Sequence, residues 1–239
     1  MKMKCLLLLL GVLACQSPSS SENASSTYAD VQIAGAMKNV MWKGELDPVI
    51  TLDTLSRKEN LFAVGPETGL RGEIMVHEGR AFVSRIGPDS ALLVEENFAV
   101  GAPFLVYAYV EAWEEVMLPD SVLNLPTLEA FIEKETQAKK RPFAFKLAGK
   151  ATAIYHAQNL PPGTKVSSPA EAHQGQVNFP LYEEAIKVTG FFSTEHQGVF
   201  THHDSYLHLH LLTEDESRMG HVDAMQWAQG EMQLFLPLR

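Results

Sequence analysis

Two histidines, His208 and His210, flank a single leucine in a leucine-rich run near the end of the chain. Such a run is typical of a β-strand, in which alternate side chains share a face, so both imidazoles would project together. His221 follows eleven residues later, after a turn-like segment long enough for a hairpin to return it beside this pair. Three neutral imidazoles and an open position form the ligand set of a catalytic zinc, so the pattern predicts a Zn2+ site on these residues.

The other histidines of this region lack ligand spacing. His202 and His203 are adjacent, so an extended chain would point them to opposite sides, and His173 and His196 have no partner. A cupin is the natural competitor, because its first motif is also H-x-H followed by a glutamate, and Glu214 is suitably placed. A cupin needs its next histidine farther on, after a P-x-G turn. That turn is absent here, so the zinc site is preferred.

The N-terminal residues indicate export. Two lysines precede an apolar run over residues 5–14, which is typical of a secretory signal and too short to span a bilayer. The run ends in Val-Leu-Ala-Cys15, which resembles a bacterial lipoprotein box. We therefore expect residues 1–15 to be a lipoprotein-type signal peptide that ends at the lipidated Cys15, and residues 16–27 to be a Ser-rich tether. Ordinary cleavage with Cys15 incidental is the alternative.

Composition limits the partners and the metal ligands. The formal net charge of −10, without a basic stripe, argues against a nucleic-acid partner. The chain has two cysteines, and the one other than Cys15, Cys5, lies inside the expected signal. The mature chain would therefore have no disulfide. We therefore expect an exported, membrane-anchored protein whose metal ligands are His, Asp or Glu.

The patterning along the chain predicts an α/β fold in two parts. Residues 28–140 form a mixed β-sheet region with helices, and residues 141–239 form a small, β-barrel-like region that carries the metal site. The first part is expected to contain helices at 28–43, after Thr51 and from Pro126, a hairpin of 73–77 with 80–84, and a strand at 104–111. The second part is expected to contain a hairpin of 143–147 with 151–156, a loop to about 174, and several short strands.

Four segments resemble motifs of the α-acetolactate decarboxylase family, in the family's order. Residues 206–223 are similar to the signature HLHF…TEDR…GGHVLD, and their H-x-H-x10-H spacing is that of the family's zinc triad. Residues 69–73 resemble GLDGE, residues 142–149 resemble F-Y-A-x-[RK]-x-x-G, and residues 190–195 resemble GFW-x-P-E. The resemblance covers most of the expected mature chain.

The resemblance implies a zinc-dependent carboxy-lyase that converts 2-acetolactate, a small 2-hydroxy-3-oxo acid, to acetoin. Loss of CO2 beside a ketone leaves an enolate, whose charge a Zn2+ ion chelated by the ketone and hydroxyl oxygens would stabilise. It also implies that Glu73 is an active-site glutamate, which holds the substrate hydroxyl or a proton-delivering water. A homodimer that shares an extended sheet is a further expectation.

The chain departs from the family pattern at three places. The family's T-R-x-V-P run, whose arginine we take as an active-site group, corresponds to residues 156–161, which contain no arginine. Lys146 on the preceding strand is the nearest strong cation, and we predict that it attracts the substrate carboxylate or protonates the carbanion. Pro66 replaces a family threonine, and because the sequence stops at Arg239 we expect the glutamate of the family's longer tail to be absent.

Two alternatives stay open because of these departures. The chain could be a non-catalytic zinc-binding or ligand-sensing lipoprotein on the same scaffold, or a decarboxylase of another 2-hydroxy-3-oxo acid. Zinc content does not separate these hypotheses, since all of them retain the metal, whereas turnover of acetolactate does.

Overall fold

The structure is a computed structural model, and it describes residues 30–137 and 141–238. The expected signal peptide, Cys15 and the tether lie outside the described residues. The strands, in chain order, are β1 Val31–Gly35, β2 Ile50–Thr51, β3 Leu61–Pro66, β4 Glu73–His77, β5 Arg80–Ile86, β6 Leu92–Glu96, β7 Gly101–Ala102, β8 Phe104–Tyr109, β9 Trp113–Val116, β10 Phe143–Ala157, β11 Val177–Phe192, β12 Leu207–Thr213, β13 Met219–Gln226 and β14 Met232–Pro237. The α-helices are α1 Met37–Lys43, α2 Leu125–Glu135 and α3 Pro169–Ala172, and single 3-10 turns span Leu52–Thr54, Thr68–Leu70, Pro88–Ser90 and His173–Gly175.

The first sheet is antiparallel, with the strand order β1-β8-β3-β4-β5-β6. Its β4–β5 hairpin confirms the prediction from sequence. Glu78 and Gly79 at its tip both have positive φ, 52° and 81°, as a tight two-residue hairpin turn requires. The predicted strand at 104–111 is confirmed as β8.

The second sheet has the order β11-β12-β13-β10-β14-β9, and β11 also pairs with β10, so the sheet partly closes into a barrel. The predicted hairpin within 143–156 is wrong, because these residues belong to one continuous strand, β10, of 15 residues. Gly149 makes no turn. Because it has no side chain, β10 can approach the neighbouring strand β14 closely here. An added methyl group would overlap the carbonyl oxygen of Glu231, which precedes β14.

The predicted helix at 28–43 is only partly correct. Residues Val31–Gly35 instead form β1, which pairs with β8 and ends at Gly35, whose φ is 68°, before α1 begins. The helix predicted from Pro126 is confirmed as α2, which begins one residue earlier. Asn124 caps it, and its side chain accepts a hydrogen bond from the Thr127 backbone N–H.

The sequence placed the boundary between its two parts at residue 140, and the second sheet packs with elements from both sides of that residue. Strand β9 pairs with β14 of the second sheet, and α2 packs Leu128 and Ile132 into the barrel core. Apolar side chains from both sheets, including Phe62 of β3 and Phe191 of β11, meet in one shared cluster, so the two sheets pack face to face.

Within the described part of the chain, no helix has the length and apolar character needed to cross a membrane.

Candidate metal centre

Neighbouring strands of the second sheet carry the three predicted ligands. On β12, His208 and His210 share one face, and the alternating leucines pack into the barrel core on the other. On β13, His221 lies directly opposite His210 in the strand register. One ligand atom from each of the three imidazoles lies within 4.8 Å of the others. The structure thus brings together the three residues that the spacing singled out.

The environment of the triad fits a metal ion. Nδ1 of His208 and both ring nitrogens of His210 are buried and have no partner among the described residues in good hydrogen-bond geometry, although the backbones of Phe200 and Ile74 lie near the two rings. Burial lowers the pKa of His208 to about 3 and lowers the pKa values of His210 and His221 well below the usual value. The rings are therefore neutral, as metal ligands must be. Orphaned buried nitrogens cost free energy unless something binds them, so these residues fit the predicted Zn2+.

Glu73, the first residue of β4, reaches the triad from the first sheet. Its Oε2 lies 3.8 Å from Nε2 of His210, and its side chain is 4% exposed. Its Oε1 accepts a hydrogen bond of 3.3 Å from the Gln158 backbone N–H. Burial raises the pKa of this carboxyl well above its usual value, although the Gln158 amide acts in the opposite direction. The structure therefore places the Glu73 carboxyl beside His210.

The turn before Glu73 is held by an ion pair. The Arg85 guanidinium donates to both carboxylate oxygens of Glu67, at 2.7 and 2.6 Å. The Glu67 backbone N–H donates to the Gly72 carbonyl at 2.8 Å, which closes the turn. A side chain at Gly72 would press on the Glu67 carboxylate and the Ser84 carbonyl. The glycines of this motif therefore serve the turn geometry that places Glu73.

His156 is the site residue that the sequence analysis missed. It lies on β10 as the register partner of His221, with the two ring centroids 4.8 Å apart. Its Nδ1 is 2.9 Å from both carboxylate oxygens of Asp223, and its Nε2 is 4.0 Å from Oε1 of Glu73. The H-x-H pattern of His208 and His210 could be recognised in the sequence because both residues lie on one strand, β12. The pairing of β10 with β13 is what makes this distant residue a neighbour, and no local spacing signals that pairing.

Lys146 lies on the same long strand but is not brought into contact with the triad. Its Nζ is 2.8 Å from Oε1 of Glu78 and 4.9 Å from the Trp113 ring centroid. In the register, Thr189 stands between Lys146 and His210, and the Thr189 hydroxyl is 2.9 Å from Nδ1 of His77. Strand β11 thus separates Lys146 from His210 in the sheet.

This placement changes the result expected for Lys146→Met. Because the ammonium pairs with Glu78, we expect turnover of acetolactate to stay within about threefold of the wild type, with metal content unchanged. Steady-state kinetics and metal analysis on the purified variant provide the check. A loss of most of the turnover with metal retained would instead support the catalytic role that the sequence predicted.

A cleft of about 740 Å³ opens beside His221. Strands β12 and β13 pair only over His210–Leu212 and then separate, so the cleft lies between them and α2. Its polar lining includes His202 and Asp223, and its apolar lining includes Leu209 and Val222. The His202 ring centroid lies 5.5 Å from that of His221. His221 is the member of the triad that lines this cleft.

The packing around Gly220 gives a test of the site. This glycine precedes His221, and an added methyl group would overlap the His156 carbonyl and the Tyr155 ring. We expect Gly220→Ala to push β13 away from β10, which would weaken metal binding roughly tenfold and cost about 1–3 kcal/mol of stability. Calorimetric zinc titration and thermal unfolding measure the two effects.

Gly163→Ala is the matched control for that substitution. No atom lies within 4 Å of the added carbon, although φ is +81°. We expect a stability loss of about 1 kcal/mol from the strained backbone and no change in zinc affinity. Equal zinc affinity in Gly220→Ala and Gly163→Ala would contradict the role given to the β10–β13 contact.

Comparison with known proteins identifies the family. Residues 34–236 match the family model described as alpha-acetolactate decarboxylase. The chain belongs to the α-acetolactate decarboxylase family. The α-acetolactate decarboxylase of Methanosarcina mazei is 28% identical over 219 residues, which are 91% of this chain and 72% of the relative. The resemblance drawn from the four motifs is confirmed, and the chain is an enzyme of the carboxy-lyase class.

Solved structures show the α-acetolactate decarboxylase fold. The enzyme of Bacillus subtilis strain 168 has 17% identity and a TM-score of 0.69, covering 87% of this chain and 85% of that one. A Staphylococcus aureus protein of unknown function, described as similar to alpha-acetolactate decarboxylase, has 16% identity and a TM-score of 0.68 over the same shares. The predicted fold class is confirmed: it is mostly sheet with few helices, and the C-terminal sheet is partly closed.

Proposed function

We propose that this chain decarboxylates 2-acetolactate to acetoin with a Zn2+ ion held by His208, His210 and His221. Family membership supports acetolactate as the substrate. The observation that carries the metal is the set of buried imidazole nitrogens without partners, beside the buried Glu73 carboxyl. Histidine and carboxyl groups at a cleft are a donor set that suits zinc.

When bound, the ion supplies Lewis-acid stabilisation of the negative charge that develops as CO2 leaves. The protein's own contribution is positional. The β12–β13 pairing holds three uncharged rings, so the ligands do not cancel the charge of the cation. Because Leu207, Leu209 and Leu211 are packed in the barrel core, the two β12 histidines keep a fixed orientation.

Glu73 is the group placed to handle a proton. Its Oε1 is held by the Gln158 amide, and its Oε2 faces His210. Burial raises the pKa of this carboxyl and so favours its protonated form, whereas a nearby cation would oppose this shift. The carboxyl can therefore hold the substrate hydroxyl, or the water that delivers a proton to the α-carbon.

Turnover is the test of this proposal. Zinc-loaded protein without the signal segment is supplied with racemic acetolactate, and acetoin and CO2 are quantified. We expect acetoin and CO2 in equal amounts, formed faster than in a reaction without the protein. Zinc binding without turnover would favour the non-catalytic alternative. Decarboxylation of another 2-hydroxy-3-oxo acid, without decarboxylation of acetolactate, would show that acetolactate is not the substrate.

We also propose that the chain is an exported lipoprotein anchored through Cys15. The support is the sequence itself, in which a short apolar run ends in a lipoprotein-type box before a Ser-rich segment. Labelling of expressing cells with radioactive palmitate should mark the wild type and miss Cys15→Ser. An unlabelled wild type that is still secreted would show that Cys15 is incidental.

A homodimer that shares an extended sheet is a further proposal. Strand β6 ends the first sheet, and its Leu93 is 54% exposed, so this edge is available for pairing. Sedimentation at micromolar concentration should give twice the chain mass, and Leu93→Lys should lower it. A monomeric wild type would contradict the proposal.

A further inference from the structure

The two strands that carry the metal ligands separate on one side of the triad. Among the described strands, β12 pairs with β13 only over residues 210–212, so the earlier residues of β12 pair with β11 alone. Strand β13 likewise pairs with β10 alone over residues 222–226. His208 lies in the part of β12 that has no strand partner on this side, and His221 lies at the point of separation. Strand pairing alone therefore does not fix the spacing between these two ligands.

Helix α2 is bonded to the β12 side of this gap through Glu129, whose side chain lines the cleft. Oε2 of Glu129 accepts hydrogen bonds of 2.7 Å from the Ser205 hydroxyl and from the Tyr206 backbone N–H. The Ser205 oxygen in turn accepts a hydrogen bond of 3.0 Å from the Leu207 backbone N–H. The Glu129 carboxylate thus holds the residues that lead into His208.

On the β13 side, the beginning of α2 is bonded to the end of the strand. Asn124, which caps the helix and lines the cleft, forms a β-bridge with Gln226. The Trp227 backbone N–H donates to the Leu123 carbonyl at 3.0 Å, and the Trp227 indole N–H donates to the Val122 carbonyl at 2.9 Å. The helix and the residues before it therefore connect the two strands across the cleft.

Glu129 does for the start of β12 what a neighbouring strand does elsewhere in the sheet. A carboxylate that accepts from a backbone N–H forms a charge-assisted hydrogen bond, which is stronger than a bond between neutral groups. We infer that α2 braces the gap between β12 and β13, and that Glu129 is a positioning residue that fixes the spacing between His208 and His221. This inference rests on the proposed function only for the Zn2+ ion at the triad.

The first test needs no metal. In metal-free protein that lacks residues 1–15, amide hydrogen exchange at residues 206–208 should be roughly tenfold faster or more in Glu129→Ala than in the wild type, because the start of β12 loses its anchor. Glu129→Gln should restore most of the protection, since the amide oxygen can accept the same two hydrogen bonds. Glu133→Ala is the matched control. It removes an exposed glutamate one turn further along α2, and its exchange should match that of the wild type.

The second test measures the geometry of the metal site. Glu129→Ala should weaken Zn2+ binding roughly tenfold and change the visible absorption spectrum of bound Co2+, which reports the arrangement of the ligands. Glu129→Gln and Glu133→Ala should keep both properties as in the wild type. Ser205→Ala should act like Glu129→Ala by a smaller factor, because Tyr206 keeps its hydrogen bond to Glu129. It decides the question if Glu129→Ala does not fold.

A merely structural role would lower the thermal stability of Glu129→Ala without changing the zinc affinity or the Co2+ spectrum of the folded protein. That result would overturn the inference, as would a Glu129→Gln variant that binds zinc no better than Glu129→Ala. The proposed function fails separately: wild-type protein would bind zinc with the expected dependence on Glu129 and would not decarboxylate acetolactate.

Discussion

The double substitution His208→Ala/His210→Ala is expected to abolish metal binding. It removes both ligands of β12 and leaves His221 as the one histidine of the triad, so the zinc ion loses two of its three histidine ligands. We expect the affinity to fall by roughly a thousandfold or more, because each lost ligand removes a large part of the binding free energy of zinc. Elemental analysis after gel filtration, together with calorimetric titration, gives stoichiometry and affinity.

The matched control is His173→Ala/His203→Ala. It removes two histidines that are outside the triad, and His203 is exposed. This variant should keep about one zinc per chain, as a three-histidine site implies. If the triad variant retains one zinc per chain, the site assignment is wrong. Far-UV circular dichroism on both variants shows whether a loss of metal accompanies a loss of fold.

Glu73→Gln is expected to have the second largest effect. The amide keeps the size of the side chain and can still accept from the Gln158 backbone N–H, but it cannot exchange a proton. Since Glu73 is buried beside His210, we expect kcat to fall by about 10²–10⁴-fold, the range for loss of a general acid or base. Zinc content and acetoin affinity should stay as in the wild type.

Glu78→Gln is the control for this loss of a carboxylate. Glu78 lies at the tip of the same β4–β5 hairpin, its side chain is 61% exposed, and it pairs with Lys146. The Glu78 carboxylate is away from the histidine triad, and its partner Lys146 also lies over the Trp113 ring, so turnover should stay within about twofold of the wild type. Equal activity of Glu73→Gln and wild type would contradict a proton-handling role for Glu73.

The sequence could predict the elements that depend on the alternation of side chains along a single strand or hairpin. The period-two pattern around His208 and His210 is contained in one strand, and the turn that returns His221 is short, so spacing alone placed these three together. The β4–β5 hairpin was predictable for the same reason, because Gly79 marks a tight turn between two alternating segments.

The parts that the sequence could not predict depend on contacts between distant strands. Gly149 is typical of a turn, yet it serves a close approach of β10 to β14, and so the long strand was split in the prediction. That strand ends with His156 opposite His221, a pairing that carries no local signal. Lys146 was chosen as a cation near a motif, whereas the packing of the β4–β5 tip against β10 gives it Glu78 as a partner.

Titration of metal-free protein with Zn2+ during acetolactate turnover tests the central claim most directly. The rate of acetoin formation should rise linearly and reach a plateau at about one equivalent per chain, as one three-histidine site implies. The His208→Ala/His210→Ala variant should stay at the background rate at the same zinc concentrations. Full turnover by metal-free protein, or by that variant, would contradict the claim that the triad holds the ion on which decarboxylation depends.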